Sequence, residues 1–280
     1  NWKILLALAG RGFGKLVRKD EEIHTHNRGW TTVGELVEGD YIYDEMGNPQ
    51  KVVGFYESEP DVVYELEFDT GEKIEACGDH LWTTETHYKN RKHRKGLVPD
   101  DWALDESKAK TTQQIVDTFT HGSRKDLNHS IPCTKAVLGK EQDLPIDPYI
   151  LGLWIGDGSK NGGGFTNIDL EILDRISESY PLSTNQNCNK SHYIKGIIGD
   201  LRELGVLNNK HIPEIYMEAS IEQRQWLVRG LMDSDGYIDP TNGVAEFCQK
   251  DSTPVAHQLK QLVAGLGMKA YMYSGDAMLN

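Results

Sequence analysis

The sequence predicts a mixed fold, in which an all-β module comes first and an α+β module follows. Residues 16–84 are short β-like runs separated by turn residues, whereas helix-like stretches begin near Pro148. A glycine-containing apolar nonamer occurs twice in the second part, which indicates an internal repeat. Strands followed by helices, rather than alternating with them, are typical of separate modules. A chain of 280 residues is long enough for about two domains.

The β-rich part contains several local signals. Glu45-Met-Gly-Asn48 is typical of a turn, and Val62–Phe68, Asp69-Thr-Gly71 and Glu72–Ala76 together predict a hairpin. Thr32-Val-Gly-Glu35 has the spacing of a capping box, so we expect one short helix among the strands. Residues from about 85 to 142 are polar, basic and poorly periodic, and we expect them to link or interrupt the modules.

The second part carries helix-start and helix-stop signals. Ser220 and Gln223 have capping-box spacing, Pro254 suits a first helical turn, and Gly265 and Gly267 suit an end. We expect helices at 149–157, 168–180, 197–204, 220–235 and 252–266.

Composition limits the class of protein. No apolar run approaches the roughly 20 residues that span a bilayer, and the four cysteines lack paired spacing, so we expect a cytoplasmic protein without a disulfide framework. Ile4–Ala9 resembles a short signal h-region, but it lacks an initiator Met and a basic n-region. The formal charge of −13 opposes DNA binding, which needs Lys and Arg. Lys89–Lys95 is a local basic run, read either as a DNA contact or as a solvated loop.

The glycine-rich start is the first functional motif. Ile4–Ala9 followed by Gly10-Arg-Gly-Phe-Gly-Lys15 resembles a Walker A loop as used by phage terminase large subunits. The resemblance implies that Gly10, Gly12, Gly14 and Lys15 hold ATP phosphates only in the spliced host protein, where the loop is complete. Ala9 replaces the first glycine, and Leu16 stands where Ser or Thr should bind magnesium. The loop therefore cannot bind nucleotide as it stands, and its abrupt failure favours an insertion after Lys15; a coincidental glycine run is the alternative.

The sequence after Lys15 resembles the opening of the Hint fold of inteins. Asp20–Thr25, Gly29–Leu36 and Gly39–Asp44 match that pattern in order. The resemblance implies a horseshoe-like, all-β splicing domain and a splice junction between Lys15 and Leu16. We expect the flanking terminase segments to be its partners.

Cys77-Gly-Asp-His-Leu-Trp82 resembles the second Hint block, with Cys77 in place of the usual threonine. The resemblance makes His80 the residue that activates the scissile peptide, since an imidazole can protonate an amide nitrogen. Leu16 has no nucleophilic atom, whereas Trp82 matches the signature of class 3 inteins, which use an internal cysteine and a downstream threonine. Joining Lys15 to that threonine would rebuild Gly-Lys-Thr. The alternatives are a core histidine and an ordinary strand tryptophan.

The repeated nonamers resemble the LAGLIDADG motif of homing endonucleases. They are Ile150–Gly158 and Val228–Gly236, and each includes an Asp near its end, Asp157 and Asp235. The resemblance implies two αββαββα repeats, the second incomplete, whose helices pack closely through Gly152 and Gly230. An acid at a helix C-terminus is unfavourable without a cation.

Asp157 and Asp235 are therefore expected to be catalytic and to bind Mg²⁺, with the carbonyl groups of Gly156 and Ser234 as co-ligands. The expected partner is a double-stranded DNA homing site. Lys195 and Lys250 are candidate helpers, although the sequence does not single them out.

These resemblances together indicate a self-splicing intein with a Mg²⁺-dependent homing endonuclease, interrupting a phage- or prophage-encoded terminase in a bacterial host cell. It is expected to be a monomer and to lack its last splicing blocks, with Asn280 as a truncation point. Two alternatives are a free-standing LAGLIDADG endonuclease with a β-rich accessory domain, and a DNA-packaging ATPase with an inert insertion. The predicted domains are a terminase fragment at 1–15, a Hint domain at 16–88, a basic linker or DNA-recognition insert at 89–142, and the endonuclease at 143–280.

Overall fold

The computed structural model describes residues 4–9, 13–86, 109–250 and 253–275, with only the backbone described for 4–9, 13–16 and 58. Gly10, Gly12, the run Lys89–Lys95 and Asn280 lie outside the described residues. The chain divides into two compact units, residues 1–138 and 139–280.

The first unit is built on an eight-stranded antiparallel sheet, in the order β4-β3-β5-β6-β1-β2-β8-β7. Its strands are β1 (Ile4–Ala9), β2 (Phe13–Arg18), β3 (Glu22–Thr25), β4 (Gly29–Thr32), β5 (Tyr41–Tyr43), β6 (Pro49–Ser58), β7 (Val63–Glu67) and β8 (Lys73–Cys77).

The local predictions for this unit are confirmed. A 3-10 turn at Val33–Glu35 has the predicted capping box between Thr32 and Glu35. β7 and β8 form the predicted hairpin, and the turn at 45–48 joins β5 to β6. Gly47 has a φ of +77°, and a Cβ there would lie 2.2 Å from the Ala136 carbonyl oxygen. Only glycine fits this turn, because it is both left-handed and covered by a neighbouring segment.

A buried carboxylate joins the segments at one end of this sheet. Asp40 is 1% exposed, and it accepts hydrogen bonds from the Arg28 guanidinium, the Asn27 amide and the Val37 N–H. The Arg28 guanidinium is the main cause that lowers the pKa of Asp40 to about 2. The apolar core beside it comprises Val17, Val33, Leu36, Ile42 and Val52.

The described end of the glycine-rich start lies in a strand. Gly14 and Lys15 lie in β2, where they pair with Leu8 and Ala7 of β1. A Walker A loop joins a strand to a helix and presents free backbone N–H groups, whereas β2 is an interior strand of an antiparallel sheet. Gly14 and Lys15 therefore cannot hold ATP phosphates in this arrangement.

The segment predicted as a linker, residues 89–142, is in part a folded piece of the first unit. Its residues 109–138 belong to the first unit, where β11 (Ala109–Thr111) pairs with β9 (Leu81–Thr83), and β14 (His129–Ser130) with β10 (Glu85–Thr86). Strands of two or three residues are too short to give a periodic pattern. The segment also contains helix α1 (Thr112–Asp117) and the hairpin of β12 (Thr120–His121) with β13 (Asp126–Leu127).

The second unit mixes helices with small sheets. The five predicted helices are present with shifted ends, and Glu214–Met217 is an additional one. They are α2 (Pro148–Asp157), α3 (Leu170–Ser179), α4 (Ile198–Glu203), α5 (Glu214–Met217), α6 (Ile221–Asp235) and α7 (Val255–Gly265). The strands are β15 (Gly164–Thr166), β16 (Leu182–Asn185), β17 (Cys188–Ile194), β18 (Gly236–Ile238) and β19 (Ala245–Phe247), in sheets β15-β17-β16 and β18-β19.

The order of elements after α2 is β, α, β, β, α, α, whereas α6 is followed by two strands and α7. An isolated bridge between Gly158 and Phe165 stands where an αββ order would place a strand pair after α2. The assignment of the two units to Hint and LAGLIDADG folds stays a prediction.

Helices α2 and α6 cross in the core of this unit with their backbones in contact. A Cβ on Gly152 would lie 2.5 Å from the Leu227 carbonyl oxygen, and one on Gly230 would lie 2.0 Å from that of Tyr149. Near the other end, a Cβ on Gly156 would lie 2.0 Å from the Ser234 hydroxyl. The two helices therefore run in the same direction, and both C-termini lie at one end of the pair.

We predict that Gly152→Ala and Gly230→Ala each destabilise the protein, although alanine favours an isolated helix by about 1 kcal/mol. Overpacking against backbone atoms that cannot move costs about 1–3 kcal/mol. The measurement is the midpoint of urea unfolding. Gly199→Ala in α4 is the matched control, because a Cβ there meets nothing within 4 Å, and this variant should gain stability. An unchanged or higher midpoint for both core variants would contradict the close crossing.

Candidate functional site

The ends of α2 and α6 bring two carboxylates together. Asp157 is the last residue of α2, and Asp235 is the last residue of α6. A Cβ on Gly156 would lie 3.2 Å from Asp235 Oδ2, so the Asp235 carboxylate touches the α2 terminus. Asn167 Nδ2 donates to Asp157 Oδ2 at 3.2 Å, and the Gln249 amide donates to Asp235 Oδ2.

The electrostatics of this site are unfavourable for two negative charges. Burial raises the pKa of Asp157, and the charge of Asp235 raises it further. Burial also raises the pKa of Asp235. The two parallel helices add the negative ends of their dipoles. A cation between the two carboxylates would therefore favour their charged forms, because an opposite charge offsets the repulsion between two nearby acids.

A lysine already faces the pair. Lys210 Nζ donates to the Gly156 carbonyl oxygen at 2.9 Å and lies 5.5 Å from the centre of the Trp154 ring. Burial lowers the pKa of Lys210, and the charges of Asp235 and Asp157 oppose that change. Sequence reasoning missed Lys210 because it precedes α5 in an irregular segment, and no periodic pattern relates it to either nonamer.

The predicted helpers do not occupy that position. Lys195 and Lys250 are exposed, and neither contributes to the pKa shifts of Asp157 or Asp235. Lys250 follows Gln249, whose amide reaches Asp235 instead. The expectation for the two lysines is therefore corrected to Lys210.

The donor set partly suits a hard divalent cation such as Mg²⁺, which is bound by one or two carboxylates together with other oxygens. Asp157 and Asp235 provide carboxylates, and Gly156 provides a carbonyl oxygen that Lys210 already engages. The Ser234 hydroxyl donates to the Leu231 carbonyl oxygen at 2.8 Å. No cluster of three or more His, Cys, Asp or Glu side chains that could hold a metal occurs among the described residues.

The first unit places His80 and Trp82 together. His80 lies in the turn between β8 and β9, is 3% exposed, and its ring centre is 4.4 Å from that of Trp82. Thr112 joins the two: its hydroxyl accepts from Trp82 Nε1 at 2.9 Å, and its N–H donates to the His80 carbonyl oxygen at 2.9 Å. Sequence reasoning missed Thr112, which is 1% exposed, because it lies at the start of a helix that was not predicted.

This turn lies next to the backbone of β2. Val17 of β2 pairs with Ala76 of β8 in antiparallel register, so the chain from Val17 towards Leu16 and Lys15 runs in the direction of Cys77 and His80. The backbone geometry thus brings together the segments that hold the predicted junction and the predicted activating histidine. Cys77 is buried.

No protein-family model matches the chain. A replicative DNA helicase DnaB of Mycobacterium intracellulare is 30% identical to this chain over 275 residues, which is 96% of this chain and 45% of that relative. The chain therefore spans less than half the length of the curated relative that it matches. No helix in the described part of the chain is long and apolar enough to cross a membrane.

The similarity to a replicative helicase overturns the expected identity. The matched relative is named as a helicase, and its name mentions neither a terminase nor an endonuclease. The interpretation as a class 3-like intein with a LAGLIDADG homing endonuclease in the ATPase loop of a phage terminase is therefore wrong. The matched residues include most of both units, so the likeness to the helicase protein is not confined to the glycine-rich start.

We predict that Asp157→Asn raises the melting temperature at pH 7 in the absence of divalent cations. A carboxyl whose pKa is raised in the folded protein contributes stability that is present below the unfolded pKa, about 3.9 for Asp, and that is lost as pH rises through the folded pKa. The gain from Asp157→Asn should therefore shrink as pH falls through the folded pKa and vanish below about 4. Asp174→Asn, a change at an exposed position, is the control and should leave the melting temperature unchanged. A lower melting temperature for Asp157→Asn at pH 7 would contradict the proposed repulsion.

Proposed function

We propose that this chain is part of a replicative-helicase-like enzyme that acts on DNA, and that its second unit binds duplex DNA together with Mg²⁺. The observation that carries the proposal is the pair of carboxylates, Asp157 and Asp235, held at the adjacent ends of α2 and α6 beside Lys210. The similarity to a replicative DNA helicase supports DNA as the substrate class.

Each residue of the carboxylate site would have its own role in binding the cation and the DNA. Asp157 and Asp235 would hold the cation, and Gly156 would offer its carbonyl oxygen once Lys210 moves aside. Mg²⁺ would supply positive charge for phosphate oxygens. Lys210 would then face the same phosphate as a second cation. Burial lowers the pKa of Lys210, and the negative charge of a phosphate would oppose that change, as the charges of Asp235 and Asp157 do.

The cation proposal predicts that Mg²⁺ raises the melting temperature of the protein. A ligand that binds only the folded state stabilises it by about 2.7 kcal/mol at one hundred times its Kd. Asp157→Asn and Asp235→Asn should each abolish the Mg²⁺-dependent increase, while Asp174→Asn should retain it. The measurement is thermal unfolding over a Mg²⁺ titration at pH 7. An equal response in all variants would show that Mg²⁺ binds elsewhere or not at all.

A second candidate is an intein-containing helicase, in which the first unit is a splicing element within a helicase-like protein. The specific observation is the buried His80, packed on Trp82 and joined to it through Thr112, in a turn that follows the strand paired with β2. ATP would then bind the joined flanking sequence and not this chain, because Gly14 and Lys15 are paired within β2.

The test is expression of the complete open reading frame with His80→Ala. If the first unit splices, this variant accumulates the unspliced precursor, seen by mass spectrometry, because the scissile amide loses its activating imidazole. His129→Ala is the control, since His129 lies in the same unit and bonds to Thr118 at 2.8 Å. Identical products from wild type and His80→Ala would exclude this candidate.

A further inference from the structure

Two arginines and a tryptophan form a cluster on the second unit, away from the carboxylate pair. The guanidinium carbon of Arg175, on α3, is 4.2 Å from the centre of the Trp226 ring. That of Arg229, on α6, is 4.3 Å from the same ring centre. Arg175 also lies 4.8 Å from the centre of the Tyr149 ring. We call Arg175, Trp226 and Arg229 the arginine–tryptophan cluster.

The cluster is held by the α2–α6 crossing. Tyr149, at the start of α2, is 4% exposed and meets Trp226 edge-on, with ring centres 6.2 Å apart. The Tyr149 hydroxyl donates to Asp233 Oδ2 at 2.8 Å. Tyr149 therefore packs against the edge of Trp226. The guanidinium groups of Arg175 and Arg229 both contact the Trp226 ring.

The two arginines of the cluster form no ion pair with a carboxylate in the described part of this unit. Within residues 109–250 and 253–275, no ion pair within 4.0 Å includes Arg175 or Arg229. The buried Arg175 Nε has no hydrogen-bond partner among the described residues. The contrast is Arg28 in the first unit, which is paired with Asp40. Stacking on an aromatic ring orients a guanidinium but satisfies none of its N–H donors.

Two guanidinium groups that face one aromatic ring are suited to phosphate. Arg175 Nε is buried, so a phosphate would meet the terminal N–H groups of Arg175 and the guanidinium of Arg229, which is exposed. The planar guanidinium matches phosphate oxygens with two parallel hydrogen bonds, and the aromatic ring reduces the conformational freedom lost on binding. A chain with a formal charge of −13 repels a polyanion, so any contact with DNA must use such local positive groups. We propose that the arginine–tryptophan cluster binds the phosphate backbone of duplex DNA. This inference rests on the proposed function of the second unit, and it assigns a contact surface separate from the carboxylate pair.

The experiment measures binding of the protein to a fluorescein-labelled, random-sequence DNA duplex by anisotropy over a range of salt concentrations. Arg175→Gln and Arg229→Gln should each weaken binding several-fold and reduce the slope of log K against log salt by about 0.9, the value for one lost phosphate contact. Arg202→Gln is the matched control, because Arg202 is an exposed arginine on α4 of the same unit and should change neither quantity. Arg175→Lys should bind more weakly than wild type, since lysine cannot form the paired hydrogen bonds.

Several outcomes separate this inference from the proposed function. If wild type binds the duplex and all three glutamine variants share one salt slope, the cluster is not the contact, although DNA binding stands. If wild type does not bind the duplex, both proposals fail. Calorimetry with inorganic phosphate and anisotropy with labelled polyglutamate complete the test. Binding of phosphate without duplex, or equal binding of polyglutamate, would overturn the assignment to DNA. Circular dichroism melts establish that each variant is folded.

Discussion

The close crossing of α2 and α6 is the constraint on which the second unit depends. At Gly152 and Gly230 the two backbones are so near that a single Cβ would meet a carbonyl oxygen. Such contact is only possible where both helices lack a side chain at the crossing point. Since interiors are packed to crystal-like density, the core around the pair cannot yield to accommodate a larger residue. The buried residues Ile150, Leu151, Leu153, Leu227 and Leu231 surround the crossing.

The two units handle charge in opposite ways. In the first unit, Asp40 is buried but fully engaged by Arg28, Asn27 and the Val37 N–H, so the charged carboxylate is favoured and its pKa falls. In the second unit, Asp157 and Asp235 are half-buried with one amide donor each, and burial raises both pKa values. The contacts of Asp40 favour its charged form, whereas two like charges at adjacent helix ends disfavour each other unless a cation is bound.

The sequence predicted the regular elements well, because their signals are local. The capping box at Thr32, the turn at Gly47 and the helices ending at Asp157 and Asp235 each follow from a few neighbouring residues. The helix α1 and the strands at 109–138 were not predicted, since elements of two to six residues give no periodicity. The glycine-rich start resembled a phosphate-binding loop, whereas its last residues lie in β2, which pairs with β1 through six residue pairs and with β8 through Val17 and Ala76.

The candidate site was predicted only in part for the same reason. Asp157, Asp235, His80 and Trp82 stood within recognisable local patterns, and the structure brings each pair together. Lys210 and Thr112, which contact those pairs, come from segments distant in sequence and carry no motif. Identity was less secure than geometry, because a motif of a few residues also occurs in unrelated proteins. The helicase relative, matched over 96% of this chain, outweighs the resemblance to terminases in the first fifteen residues.

The parallel direction of α2 and α6 gives the second unit an electrical polarity. Both helix C-termini lie beside Asp157 and Asp235, so carboxylates and dipole ends add at that end. Tyr149, which supports the arginine–tryptophan cluster, lies eight residues earlier on α2, about 12 Å away at 1.5 Å per residue. The crossing of α2 and α6 therefore holds the proposed cation site and the proposed phosphate site at a fixed separation. A polyanion contacting the cluster would place other phosphates within reach of the carboxylate end, where only a bound cation makes their approach favourable. The two proposed sites are thus coupled through charge: Mg²⁺ at the carboxylates should tighten duplex binding in wild type but not in Asp235→Asn.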